Sequence, residues 1–197
     1  MKKTKKIIFL LIINIFIIIF TVSVYSCEKR EPEGQPVPHS VMKKVLGHFD
    51  RKDDINSECV IYISGQKDKE LSEKKAQEIY SKLPEKNEKN GKSQGDLIDL
   101  SKIEKYSIRQ SKKNPAVEIG IFKLYDKINA NYVREMSSNR IIKLQENIQN
   151  IQSVQNDAIK TANNAEVRIY GNYVYYVSHA YKDEIFQIIE NALREKV

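Results

Sequence analysis

Apolar and polar positions divide this chain into one long oily block, a polar spacer and a series of short patterned segments. Residues 7–25 are almost continuous hydrocarbon, broken only by Asn14 and a few small hydroxyl residues. Residues 28–40, Glu-Lys-Arg-Glu-Pro-Glu-Gly-Gln-Pro-Val-Pro-His-Ser, hold three of the five prolines and almost nothing apolar, which predicts a semi-extended tether. Ser40 is placed to cap a helix through Phe49 with Val41, Val45 and Phe49 on one face. The β-rich run Cys59-Val60-Ile61-Tyr62-Ile63 ends at Ser64-Gly65 and predicts a strand. Ser72 then precedes a helix with Ala76, Ile79, Tyr80 and Leu83 on one stripe, halted by Pro84. Residues 84–96 form a polar loop.

The second half has clearer periods. Residues 103–109 predict a strand, Asn114-Pro115 breaks the chain, and Val117 to Leu124 alternates as a second strand. Asp126 can cap a long helix carrying Ile128, Tyr132, Met136, Arg140, Leu144, Ile148 and Ile151 at steps of three and four. A short helix follows near 157–162. Val167 and Ile169 alternate with Glu166 and Arg168, Gly171-Asn172 supplies a two-residue hairpin turn, and residues 173–178 return. A last helix from about Asp183 places Ile185, Ile188, Ile189, Ala192 and Leu193 on one face, with acids in its first turn and Arg194 and Lys196 in its last, as the helix dipole favours.

This order predicts an α+β domain over residues 41–197, a mainly antiparallel sheet with helices packed on one face. Its first six elements are compatible with a ferredoxin-like core.

Composition changes the picture mainly at the N-terminus. The 197-residue chain carries a formal charge of +7, but Lys2, Lys3, Lys5 and Lys6 precede the oily block, and without them 29 basic residues face 26 acidic ones. The excess is therefore addressing information, and nucleic-acid binding is disfavoured. A lysine head followed by an apolar run is the form of an export signal over residues 1–26. The run is also close to the length a spanning helix needs, which leaves a retained single-pass anchor as an alternative. Val24-Tyr25-Ser26-Cys27 is similar to the lipobox of bacterial lipoproteins, with Tyr25 where that motif prefers a small residue. The similarity implies cleavage before Cys27, a diacylglycerol on its thiol, and residence on the outer face of the cell membrane.

Candidate chemistry is sparse. Cys59 is the one thiol within the predicted domain, and His48 and His179 are the histidines that could activate it, but their spacing forms no catalytic motif. At the head of an apolar strand a thiol commonly acts as a small hydrophobe. No zinc spacing, calcium loop or phosphate-cradling glycine run is present, so no metal and no cofactor is predicted. Tyrosines crowd the C-terminal hairpin at Tyr170, Tyr173, Tyr175, Tyr176 and Tyr181. If Val167 and Ile169 face the core, then Tyr170, Tyr173 and Tyr175 can form an exposed row that stacks on sugar rings or docks a protein.

Pro115-Ala-Val-Glu-Ile-Gly-Ile-Phe-Lys123, Asn156-Asp-Ala-Ile-Lys160 and Val167-Arg-Ile-Tyr-Gly-Asn-Tyr-Val-Tyr-Tyr-Val-Ser178, with the helices around them, resemble the bacterial domain of unknown function 4358 over residues 97–195. The resemblance implies an exported lipoprotein-like α+β domain of a low-GC Gram-positive bacterium, and it carries no catalytic residues. The combined expectation is a non-enzymatic, lipid-anchored envelope protein that binds an envelope protein or glycan. The rival is an exported cell-wall hydrolase or thiol-dependent enzyme.

Overall fold

The computed structural model describes residues 34–50, 53–83, 98–151 and 156–195. The leader, Cys27, most of the tether and the 84–96 loop lie outside the described residues. The chain divides at Gly34, and Gln35–Val197 forms one compact unit. Nearly all described residues belong to it.

That unit is α+β, with the order α1 (Pro38–His48), β1 (Cys59–Ile63), α2 (Glu73–Tyr80), β2 (Ile103–Ser111), β3 (Glu118–Leu124), α3 (Ala130–Gln149), α4 (Asn156–Asn163), β4 (Glu166–Tyr170), β5 (Tyr173–Ser178) and α5 (Lys182–Arg194). The strands form one five-stranded sheet in the order β1-β2-β3-β5-β4, with every neighbour antiparallel. A ferredoxin-like core requires a parallel central pair, so that option is corrected. The central strands β3 and β5 are instead joined antiparallel across α3, α4 and β4.

Local signals account for most element ends. Ser72 Oγ accepts the Lys75 N–H at 3.2 Å and starts α2. Asp126 caps a tight 3-10 turn over Lys127–Asn129 rather than the long helix itself, so Ile128 lies outside α3 and Ile151 lies beyond its end. Tyr170 and Tyr173 face each other across Gly171-Asn172. Gly171 has φ +59° and Asn172 does not have positive φ, the pattern of a type II′ hairpin turn. The N-terminal helix begins earlier than the polar composition predicts. Val37, not Ser40, is its N-cap, and Pro38 occupies the first turn, where a missing N–H costs nothing. His39 is therefore a helix residue and not part of the tether.

Helices cover both faces of the sheet, a correction to the one-face expectation. On one side α1 and α5 bury Val41, Val45, Ile185, Phe186 and Ile189 against Ile119, Ile121, Tyr175 and Val177. On the other, α2 and α3 bury Ala76, Tyr80, Val133 and Met136 against Ile108, Phe122, Val174 and Tyr176. Every residue of β3 and β5 is consequently buried, as for strands sandwiched between two layers.

Candidate functional site

The tyrosine row is the first prediction that the second helix layer corrects. Strand register does put Tyr170 opposite Tyr173 and Arg168 opposite Tyr175, so the three tyrosines share a face. That face lies under α1 and α5. Tyr173 is 4 % and Tyr175 1 % exposed, leaving only Tyr170 at the edge, 36 % exposed. Tyr173 Oη donates to the Pro36 carbonyl at 2.7 Å, and Tyr175 Oη lies 3.3 Å from Glu190 Oε1 on α5. Their polar ends tie the segment before α1, and α5, to the sheet.

A concavity lies instead at the opposite end of the sheet, where β2 turns into β3 and β5 leaves for α5. It is a cleft of about 810 Å³ lined by Asp53, Asp54, Asn114, Asp157, His179 and Tyr181, among others. Asn114 shapes one wall. Its carbonyl accepts the Val117 N–H at 2.9 Å, its side-chain oxygen accepts the Ala116 N–H at 3.1 Å, and its amide donates to Asp54 Oδ2 at 2.9 Å. Lys113 sits 3.3 Å from the other Asp54 oxygen. Asp53 Oδ1 accepts the Ile55 N–H at 2.9 Å, a local turn of the kind aspartate favours. Behind the lining residues, Ser178 Oγ donates to the Ala116 carbonyl at 2.5 Å and binds the end of β5 to the β2–β3 loop.

His179 is buried beside this join. Its Nδ1 accepts the Tyr181 N–H at 3.1 Å, which places the ring proton on Nε2, and Nε2 donates to Asp53 Oδ1 at 3.1 Å. Both ring nitrogens are therefore occupied, and no lone pair is left to remove a proton from a nucleophile. The ring also joins an aromatic cluster. Phe49 lies 5.4 Å from His179 and 6.0 Å from Tyr181, the latter nearly parallel at 27°. Tyr181 is thus braced from one side by Phe49, while the residue is 57 % exposed where it lines the cleft.

The residues predicted for thiol chemistry are not brought together. Cys59 Sγ donates to the Ile55 carbonyl at 3.4 Å, and His48 pairs with Glu184 at 2.8 Å on the surface between α1 and α5. Burial pushes the Cys59 thiol above its ordinary range despite the nearby Arg109 guanidinium, so the unreactive protonated form is favoured. Among the described residues there is also no group of three His, Cys, Asp or Glu side chains able to hold a metal ion.

Sequence patterning missed a buried polar network on the other face of the sheet. Arg140 from α3 binds the buried Glu118 carboxylate of β3. Tyr176 Oη donates to the same carboxylate, and Tyr80 Oη lies 2.9 Å from Tyr176 Oη. Burial first, and the Glu118 charge second, push both phenols well above their ordinary range and keep them neutral. Burial opposes the charge on Arg140, but the adjacent carboxylate outweighs it and raises the guanidinium. Gly120 makes room for this arrangement, because a Cβ there would lie 2.2 Å from Tyr176 Cε1. The signal was Arg140 itself, a charge on the apolar stripe of α3. The network braces the fold, and none of its four side chains lines the cleft.

Compared with protein-family models, curated proteins and solved structures, the chain shows no significant match to any of them.

Proposed function

We propose that this protein is a non-enzymatic, lipid-anchored binding protein of the outer membrane face, and that the cleft beside Tyr181 takes an envelope glycan. The leader, the Cys27 motif and the resemblance described above support export and acylation. One observation carries the binding role: His179 has both nitrogens engaged internally while Tyr181 stands exposed where it lines the cleft. Such a site offers a flat apolar platform and hydrogen-bonding carboxylate and amide groups, but no activated nucleophile or base.

A sugar ring matches these features, since its C–H face can lie on a tyrosine while its hydroxyls reach Asp54, Asn114 and Asp157. A stable protein interface needs roughly 800 Å² from each partner. Among the described residues the exposed large apolar side chains at this rim are Tyr181 and Ile151, too few to form such a core. A protein ligand is thereby disfavoured.

Two measurements test the reading. The mass of the mature N-terminus should show a chain beginning at an acylated Cys27, and Cys27→Ala should abolish the acyl label; an intact leader would instead support the single-pass anchor. Soluble fragments of cell-wall glycan should bind the wild type and lose affinity in Tyr181→Ala. Glycan cleavage by the purified chain would support the hydrolase reading instead.

A further inference from the structure

The opposite pole of the domain holds a second feature, distinct from the cleft. Tyr125 and Ile128 are its most exposed large apolar side chains, at 69 % and 80 %. They flank a closed turn and not a loose loop, because Asp126 Oδ1 accepts the Ile128 N–H at 3.0 Å and the Asp126 carbonyl accepts the Asn129 N–H at 3.1 Å. Lys127, also exposed, lies between them. Two apolar side chains held outward on one hydrogen-bonded turn form a small knob that another surface can cover.

The entry of the chain into the domain identifies what covers it. The Asn172 side-chain amide lies 3.2 Å from Gln35 Oε1 and 3.2 Å from the Leu124 carbonyl, while the Leu124 N–H donates to the Asn172 carbonyl at 2.8 Å. One side chain thus joins the first residues of the domain to the strand end that leads directly into Tyr125. Tyr173 Oη reinforces the join through the Pro36 carbonyl. From Cys27 to Gln35 the chain can extend at most about 28 Å, at ~3.5 Å per residue. A lipid on Cys27 would therefore be tethered to the domain at this pole. The cleft lies a further strand length away, about 20 Å.

We infer that the Tyr125–Ile128 turn inserts into the outer leaflet surface and sets the orientation of the domain, with the cleft pointing away from the membrane. Tyrosine suits the headgroup boundary, where its ring is apolar and its hydroxyl stays wet, and Lys127 can meet anionic phosphates there. The inference rests on the acylation of Cys27. The two acyl chains of a diacylglycerol supply the hold, and the turn's apolar contact beside the tether sets the orientation.

The test uses the full-length acylated protein in vesicles of phosphatidylglycerol and phosphatidylethanolamine. Cys59→Ser leaves Cys27, blocked by its lipid, as the sole remaining cysteine; a polarity-sensitive fluorophore is then placed through Ile128→Cys or, separately, Tyr181→Cys. Both positions are exposed, so neither label should disturb folding. The label at 128 should shift to the blue and be quenched by nitroxide-bearing lipid, while that at 181 should keep the emission of a label in water. Equal responses at the two sites in a chain whose mass confirms acylation would overturn the inference and leave the anchor intact. A chain without acylation that does not float with the vesicles would overturn both.

Discussion

Arg140 reaches from α3 to the buried carboxylate of Glu118 on β3, with Nε 3.0 Å from one oxygen and 3.1 Å from the other and Nη2 2.5 Å from the second. Arg140→Met would leave a carboxylate in the core with only a phenol to answer its charge. Removing one partner of a buried pair costs about 3–5 kcal/mol. The urea midpoint should fall accordingly, and Arg140→Lys should restore only part of it because an ammonium cannot grip both oxygens. A midpoint equal to that of the wild type would show that the pair does not brace the domain.

Gly120 is required for space and not for backbone freedom. A methyl group there meets the Tyr176 ring at 2.2 Å and 2.6 Å, and the ring is fully buried with its hydroxyl held by Glu118. Overpacking of this kind costs about 1–3 kcal/mol, and Gly120→Ala should be destabilised to that extent. Combining it with Tyr176→Leu should cost less than the sum of the two single changes, since the clash is then relieved. Strict additivity in denaturation would contradict the contact.

His39 should make the domain more fragile in mild acid. Burial first, then Lys43 and Lys69, lowers its folded pKa from the ordinary 6.5, so folding favours the neutral ring. The stabilisation is complete above pH 6.5 and is lost as pH falls through the lowered folded value. Between pH 7.5 and 5 the wild type should therefore lose more stability than His39→Gln. Parallel pH curves for the two chains would refute the assignment.

Cys59 should react slowly. In a Cys27→Ala chain, where it is the single thiol, its alkylation at pH 8 should be slower than that of a free cysteine peptide and should accelerate in urea. Burial raises this thiol and the Ile55 carbonyl holds its proton. A rate above that of the peptide would revive the thiol-dependent enzyme reading.

Glu166 offers an acid-side comparison. Hydrogen bonds from Arg168 and then Lys182 lower its carboxyl below the ordinary 4.5, so its contribution is present above that value and is lost as pH falls through the folded one. The group is half-exposed, and Glu166→Gln should cost no more than about 1 kcal/mol at pH 7, with the difference vanishing near pH 3. A penalty unchanged by acid would show that the ion pairs do not contribute.

Local chemistry was legible in this chain wherever neighbours in sequence are also the partners in space. Ser72 as a cap, Gly171-Asn172 as a turn, and the stripe of Ile185, Ile189 and Leu193 on α5 all involve residues a few positions apart. The cleft was legible only as scattered parts. Asp53, Asn114 and the His179–Tyr181 pair come from three separate segments, and no spacing rule links Asp53 to His179 across the sheet.

The residues by themselves determined an antiparallel α+β domain with the strands and helices broadly in place, because period and capping are short-range properties. Tertiary structure alone decided that the sheet is covered twice. An alternating strand assigns Tyr173 and Tyr175 to a common face, but whether water or a helix meets that face depends on α1, from a segment far away in sequence, packing beside α5. The same long-range packing occupied both nitrogens of His179 and left Tyr181 open, since burial and hydrogen-bond partners are settled only once distant segments meet.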